Sequence, residues 1–387
     1  MWDAVGKIPG LRDVSTIGIV DISTNIISAI FWLFVASTLG AEKYGEISYF
    51  IAIASIASTA ALLGTENIMT VLTAKKINAQ STIYFLVSIS TLISSIIIFI
   101  LFDSFEISLL VIAYVITGLA LSDIIGRKFF LEYAKYIVIT KILMVVFGVG
   151  FYYILGEKGV ILGLAISSFP YFYRIYKSCK ETKIDFNILR KRIKFVVTNY
   201  GISLGNMLAG STDKLIIAPL LGFALLGNYQ LGLQFLAMLN ILPAIVYKYI
   251  LPHDASGESS IKLKLFTILA SGVIALVAFF YSPWVILQIF PKYLEAAEII
   301  PILSLTIIPS TVILFYTSKF LGREDNFPIF IGSIMYLTML VILIIILGKM
   351  FDLVGIAIAF IISVIIQMIY FIIIDKLRDT RIKQSNE

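Results

Sequence analysis

Five residues between Asn199 and Asp213 carry the first chemical signal in the chain. Asn199, Ser203, Asn206, Gly210 and Asp213 are spaced 4, 3, 4 and 3 apart, which sets them on one face of a helix. The rest of that stretch is apolar apart from Tyr200, Ser211, Thr212 and Lys214. Asp21, Thr24, Asn25, Ser28 and Trp32 share one helical face in the same way near the start of the chain. The amides of Asn25, Asn199 and Asn206 both donate and accept hydrogen bonds, which suits a ligand rich in hydroxyls. Lys141 and Lys214 are candidates for an anion, and the Asp21 and Asp213 carboxylates for Na⁺ or a proton. In hydrocarbon such groups survive where protein or a water-filled cavity covers them, so each stripe predicts an inward-facing path. The alternative is that small and polar residues only join neighbouring helices.

The elements that position these stripes follow from composition. The chain has 387 residues, 59% hydrophobic and 14% charged. Soluble domains carry about 25% charged residues, so this is read as an all-α polytopic membrane protein. No segment between predicted spans is long enough for a soluble domain. One cysteine, Cys179, excludes an internal disulfide, and one histidine, His253, excludes a histidine metal cluster within one chain. No cofactor is expected beyond a coupling ion. The net charge of +6 would suggest an anionic partner in a soluble protein, but here its distribution matters more than its sum, and the expected partner is the bilayer and not a nucleic acid.

Spans of about 20 apolar residues are predicted at Val14–Leu39, Glu46–Leu72, Ser81–Phe102, Ser108–Ile125, Tyr133–Leu155, Gly159–Tyr176, Phe195–Leu221, Leu225–Leu251, Leu263–Tyr281, Ala296–Phe320, Phe327–Leu347 and Leu353–Ile374. The apolar run after the polar first dozen residues is too long for a signal peptide and contains Asp21, so it is the first of these twelve. With the N-terminus inside, 24 of the 30 Lys and Arg fall on cytoplasmic segments and 4 on outer ones, leaving Lys141 and Lys214 within spans. A missed helix would invert every assignment after it. Both termini are thus expected in the cytoplasm of a cell-membrane protein. The basic connection 179–194 separates an N-terminal six-helix lobe, 1–178, from a C-terminal one, 195–387.

The lobes read as copies. Leu39-Gly40 is followed by Gly45, and Leu221-Gly222 by Gly227, at equal spacing. Gly126-Arg127 ends the fourth span and Gly322-Arg323 the tenth, and Gly126 to Gly159 and Gly322 to Gly355 are each 33 residues. Six spans per copy imply parallel, pseudo-symmetric repeats about an axis along the membrane normal, a transporter plan with the site between halves. The two polar stripes fall on the equivalent first helix of each copy.

These residues carry a family resemblance. Leu39-Gly40-Ala41-Glu42-Lys43-Tyr44-Gly45 resembles the turn between the first two spans of the polysaccharide-export flippases. These form the O-antigen-type, lipid-linked oligosaccharide branch of the multidrug/oligosaccharidyl-lipid/polysaccharide exporter (MOP) superfamily. Asp213-Lys214, Leu221-Gly222 and Gly227-Asn228-Tyr229 are similar to its Asp-basic, Leu-Gly, Gly-x-Tyr signature. Pro252 matches a proline near the end of span eight, and Phe290-Pro291-Lys292-Tyr293-Leu294-Glu295-Ala296-Ala297 matches the lead-in to span ten. The resemblance covers nearly the whole chain. It implies a MATE-like fold, no enzymatic activity, and a polyprenyl-phosphate-linked glycan as substrate, with membrane enzymes of a glycan pathway as candidate partners.

Such a substrate keeps its tail in lipid while its anion and sugars need a hydrated cleft across about 30 Å of hydrocarbon. Alternating access of a central cleft would carry the head across. Lys214 and then Lys141 are the candidates for its phosphate. The alternative for Lys214 is an ion pair with Asp213 or a side chain snorkelling to the surface. Arg127 and Arg323 either meet the head group or anchor the cytoplasmic ends of their helices. Asp21, Glu66, Asp123 and Asp213 either couple an ion or hold helices together. Two rival functions stand beside this one. A multidrug or organic-cation antiporter of the same superfamily would want a carboxylate-rich cavity, which Asp21 fits. A glycan polymerase or ligase would want a long external loop, and the outer connections here are short.

Overall fold

The structure, a computed structural model, describes residues 11–256, 261–323 and 325–386. Among these, every regular element is a helix. In chain order they are α1 Leu11–Leu39, α2 Ala41–Leu62, α3 Thr65–Ala74, α4 Gln80–Phe102, α5 Phe105–Gly126, α6 Phe130–Leu155, α7 Glu157–Ser167 and α8 Pro170–Glu181. There follow α9 Asn187–Arg190, α10 Ile193–Leu221, α11 Phe223–Leu239, α12 Ile241–Ala255, α13 Ile261–Ile289, α14 Leu294–Ser304, α15 Ile307–Gly322 and α16 Phe327–Asn386.

All twelve predicted spans lie on helices. Among the described residues seven helices are long and apolar enough to cross a bilayer, and nine if each of the bent pairs α11–α12 and α14–α15 is one span. One of the seven, α16, breaks at Phe351 and Asp352, where the backbone leaves helical φ and ψ between the predicted eleventh and twelfth spans. The sixth predicted span lies across α7 and α8, and the seventh on α10.

Several breaks were not expected. The second span is interrupted between α2 and α3, where Leu63 and Gly64 both have positive φ. The α11–α12 pair bends by 47° around Asn240, and the α14–α15 pair by 45°. Pro309 sits in the first turn of α15, where its missing N–H removes no helical bond. The helix of the ninth predicted span, α13, continues to Ile289 through Pro283, so the connection before α14 is shorter than the predicted 282–295.

The chain divides into two compact units, Met1–Val35 with Tyr49–Ser211, and Ala36–Ser48 with Thr212–Glu387. In the first unit α3, α4 and α5 close around Ile68, Met69, Leu72, Ile83, Val87 and Leu119. Its charged counterpart is Asp123 on α5, fully buried, which accepts from Arg127 Nε at 2.9 Å, Arg174 Nη2 at 3.0 Å and Ser178 Oγ at 2.8 Å. In the second unit α15 packs on α16 through Phe320 and Phe371, edge to face at 5.4 Å. There the charges are reversed: Lys319 on α15 donates to Asp375 on α16 at 2.6 Å, and Arg323 does so at 3.3 Å. Arg127 and Arg323, at matching helix ends, both hold ion pairs.

The repeats match in backbone detail. A Cβ on Gly159 would lie 2.0 Å from the Phe151 carbonyl oxygen, and one on Gly355 would lie 2.0 Å from that of Leu347. Each glycine thus lets two successive helices turn back on one another. Three residues before each stands a positive φ, 65° at Gly156 and 49° at Asp352.

Candidate functional site

The first polar stripe is built on α1 against α6. The Tyr133 hydroxyl donates to Asp21 Oδ1 at 3.2 Å. Farther along, the Phe31 ring fills the space beside Gly148, where a Cβ would approach it to 2.7 Å. Thr24 and Ser28 turn their hydroxyls back onto the carbonyls of Val20 (2.7 Å) and Thr24 (2.8 Å) four residues earlier. Those two positions are spent on their own helix. Asn25 is exposed.

Lys141 lies on α6 between these contacts in height, seven residues before Gly148 and hence on the same face. It is half-buried, and among the described residues its ammonium has neither a hydrogen bond nor an ion pair. Of the two candidate lysines it is the one whose charge is left over, and among the candidate acids Glu66 is likewise without a side-chain partner among the described residues.

The stripe on α10 is divided. At its start Asn67 Nδ2 donates to Asn199 Oδ1 at 3.4 Å, while Asn199 Nδ2 donates to the Phe195 carbonyl at 2.9 Å. Gly64, at the break between α2 and α3, brings α10 close: a Cβ there would fall 2.4 Å from Tyr200 N. Asn206 is exposed and has no partner among the described residues. Asp213, in the other unit, is buried and accepts from the Tyr229 hydroxyl at 3.1 Å. Lys214 Nζ stands 3.2 Å from the same carboxylate, so the ion pair raised as an alternative is present.

The structure therefore gathers Asp21, Asn25, Lys141, Asn199 and Asn206 in the first unit and Asp213 and Lys214 in the second. Tyr133, Asn67 and Tyr229 are the polar partners that sequence reasoning missed. Each carried one weak signal, a polar group near one end of a predicted span or inside a motif. Glu66 packs its carboxylate against Gly118, where a Cβ would meet Oε1 at 2.3 Å. The motif residues of the second unit have architectural partners: Asn228 Oδ1 accepts from Ala296 N at 3.0 Å, and the Tyr293 hydroxyl donates to the Ala36 carbonyl at 2.7 Å. Among the described residues no three His, Cys, Asp or Glu side chains are placed to hold a metal ion.

No protein-family model matches the chain, and no curated protein does. Solved structures share its fold. One is the lipid II flippase MurJ in an inward closed conformation, with a TM-score of 0.69 at 16% identity over 93% of this chain and 87% of that one. Another is the inward-facing conformation of a multidrug resistance MATE family transporter of the MOP superfamily, with a TM-score of 0.70 at 12% identity over 94% and 96% of the two chains. A MATE structure in the straight conformation has a TM-score of 0.61 at 14% identity over 97% of each chain. The likeness establishes the all-α fold of the MOP transporters, and the long apolar helices are those of a multi-pass membrane protein.

Proposed function

We propose that this chain, built on the MOP transporter fold, flips a lipid-linked oligosaccharide from the cytoplasmic to the outer leaflet by alternating access. The observation that carries the reading is Lys141. On α6, beside the first polar stripe, it holds a half-buried positive charge without a partner among the described residues. Three of the four candidate acids are engaged: Asp21 with Tyr133, Asp123 with two arginines, and Asp213 with Lys214 and Tyr229, while the fourth, Glu66, packs against Gly118. A span that leaves a cation free favours an anionic substrate such as a prenyl phosphate. Exposed Asn25 and Asn206 offer donors and acceptors to sugar hydroxyls. In this reading two six-helix lobes, 1–178 and 195–387, rock about the site, the prenyl tail stays in lipid, and Na⁺ or a proton at Asp21 or Asp213 supplies the drive.

The test is reconstitution with a fluorescent short-chain polyprenyl-pyrophosphate glycan and a leaflet-specific quencher. Protein-dependent movement of the glycolipid is the expected outcome. Export of an organic cation with an immobile glycolipid would replace this reading with the drug-antiporter one. That second reading is favoured by the 0.70 TM-score to a multidrug MATE transporter and by the Glu66 carboxylate packed at Gly118. In cells, loss of the protein should trap lipid-linked glycan on the cytoplasmic leaflet. Surface glycan of wrong chain length at normal amount would point to a polymerase.

A further inference from the structure

We infer that the cleft between α6 and α8 binds the phosphate head group of an anionic phospholipid, on the membrane face that carries the basic connection. A cavity of about 380 Å³ opens there, and Glu132, Lys135, Tyr136, Tyr173, Arg174 and Lys177 line it. Its floor is Arg174, only 3% exposed. Arg174 Nη2 donates to Asp123 at 3.0 Å and Nη1 pairs with Glu132 at 3.2 Å. Its buried Nε–H has no acceptor. A guanidinium has donors and no acceptors, so what the floor of this cleft can receive is an acceptor such as a phosphate oxygen.

The rim supplies the charge. Lys135 and Lys177 are exposed, and neither holds an ion pair among the described residues. Against these two lysines and Arg174 the cavity itself offers one acid, Glu132. Behind it Asp123 is shared by Arg127 and Arg174, and Glu181 is taken by Arg127 at 2.6 Å. The mouth of the cleft is therefore positive. Its surroundings distinguish a lipid from a soluble anion: Ile139, Phe172 and Tyr173 on the same two helices are exposed and would lie against acyl chains. Tyrosines and lysines flanking an apolar surface are the usual dress of the membrane interface, and basic pockets between helices there bind anionic head groups. This inference is independent of what is transported.

The experiment is native mass spectrometry of the purified, delipidated full chain with phosphatidylglycerol, phosphatidylcholine or inorganic phosphate. Phosphatidylglycerol should be retained in preference to phosphatidylcholine, and millimolar inorganic phosphate should not displace it. Lys135→Gln with Lys177→Gln should weaken retention by about tenfold or more, the loss expected for two lysines at an anionic surface. Both side chains are exposed, so the double variant should keep its gel-filtration profile, and Glu132→Gln should strengthen retention. Equal retention of the two lipids, or a double variant that holds phosphatidylglycerol unchanged, overturns the inference. Displacement by inorganic phosphate overturns it in favour of a soluble anion.

Discussion

Gly45 and Gly227 answer one another reciprocally: a Cβ on Gly45 falls 1.9 Å from the Phe223 carbonyl oxygen, and one on Gly227 falls 1.8 Å from that of Ala41. Ala41 stands four residues before Gly45, and Phe223 four before Gly227. A contact in which i meets j and j′ meets i′ is the signature of two-fold relatedness. Both segments belong to one compact unit, so the turn after the first span and the turn after the seventh are fastened to each other. In a membrane, where apolar side chains gain little by leaving lipid, such backbone approach is what small residues supply.

Gly45→Ala and Gly227→Ala should each destabilise the protein by about 1–3 kcal/mol, because a backbone oxygen occupies the space the methyl needs. Thermal unfolding in detergent, followed by size exclusion, gives the measure. Gly272→Ala is the control, since a Cβ there meets nothing within 4 Å. Equal unfolding temperatures for all three would mean that the helices separate freely at this point.

Asp352 holds φ 49° and ψ −131°, a conformation that its counterpart Gly156 adopts at φ 65° and ψ −141°. An L side chain is strained there and glycine is not. Asp352→Gly should therefore stabilise the second repeat by about 1 kcal/mol, whereas Gly156→Asp should destabilise the first. An Asp352→Gly protein that unfolds earlier than the parent would show that the aspartate compensates for its own strain.

The residues that announced themselves in sequence were those governed by local rules. Span positions, the Gly126 and Gly322 ends and the Gly159–Gly355 match all follow from hydropathy and glycine spacing, and the structure places each on an equivalent element. The break at Leu63–Gly64 was hidden because the hydropathy of the second span runs through it. The polar stripes were legible as faces but not as chemistry. Thr24 and Ser28 turn back onto their own helix, and Asn228 serves Ala296 N, a partner remote in sequence. Arg174 stood near the end of the sixth predicted span with nothing in the sequence to mark it. Only the fold reveals that it is buried beneath Asp123.

Asp123 is the fully buried acceptor for three donors, two of them cationic. Removing one side of a buried ion network leaves charge uncompensated, at about 3–5 kcal/mol. Asp123→Ala should lower folded yield and unfolding temperature accordingly. Combining Asp123→Ala with Arg174→Met should recover part of the loss, and purely additive losses would count against the coupling.

Cys179 is the single cysteine and is exposed near the end of α8, which makes it a native reporter of sidedness. Partial burial pushes its thiol above the usual cysteine range, so less thiolate is present at neutral pH and maleimide labelling should accelerate as pH rises. In right-side-out membranes an impermeant maleimide should leave it untouched until the membrane is opened. Labelling of intact cells would invert the topology drawn from lysine and arginine placement.

Lys141 and Lys214 were paired as candidates in the sequence, yet their surroundings now separate them. Lys141→Gln removes a charge without a partner among the described residues, so insertion and unfolding temperature should hold while glycolipid movement falls by at least about tenfold, the worth of one lost charge-assisted contact. Lys214→Gln removes the cation 3.2 Å from buried Asp213 and should lower stability first, with transport failing in proportion to folded protein. A Lys214→Gln, Asp213→Asn double variant should recover that stability, because the buried carboxylate goes with its cation. If both single variants are stable and transport normally, neither lysine meets the substrate. If Lys214→Gln alone abolishes movement in fully folded protein, the phosphate contact moves from α6 to α10.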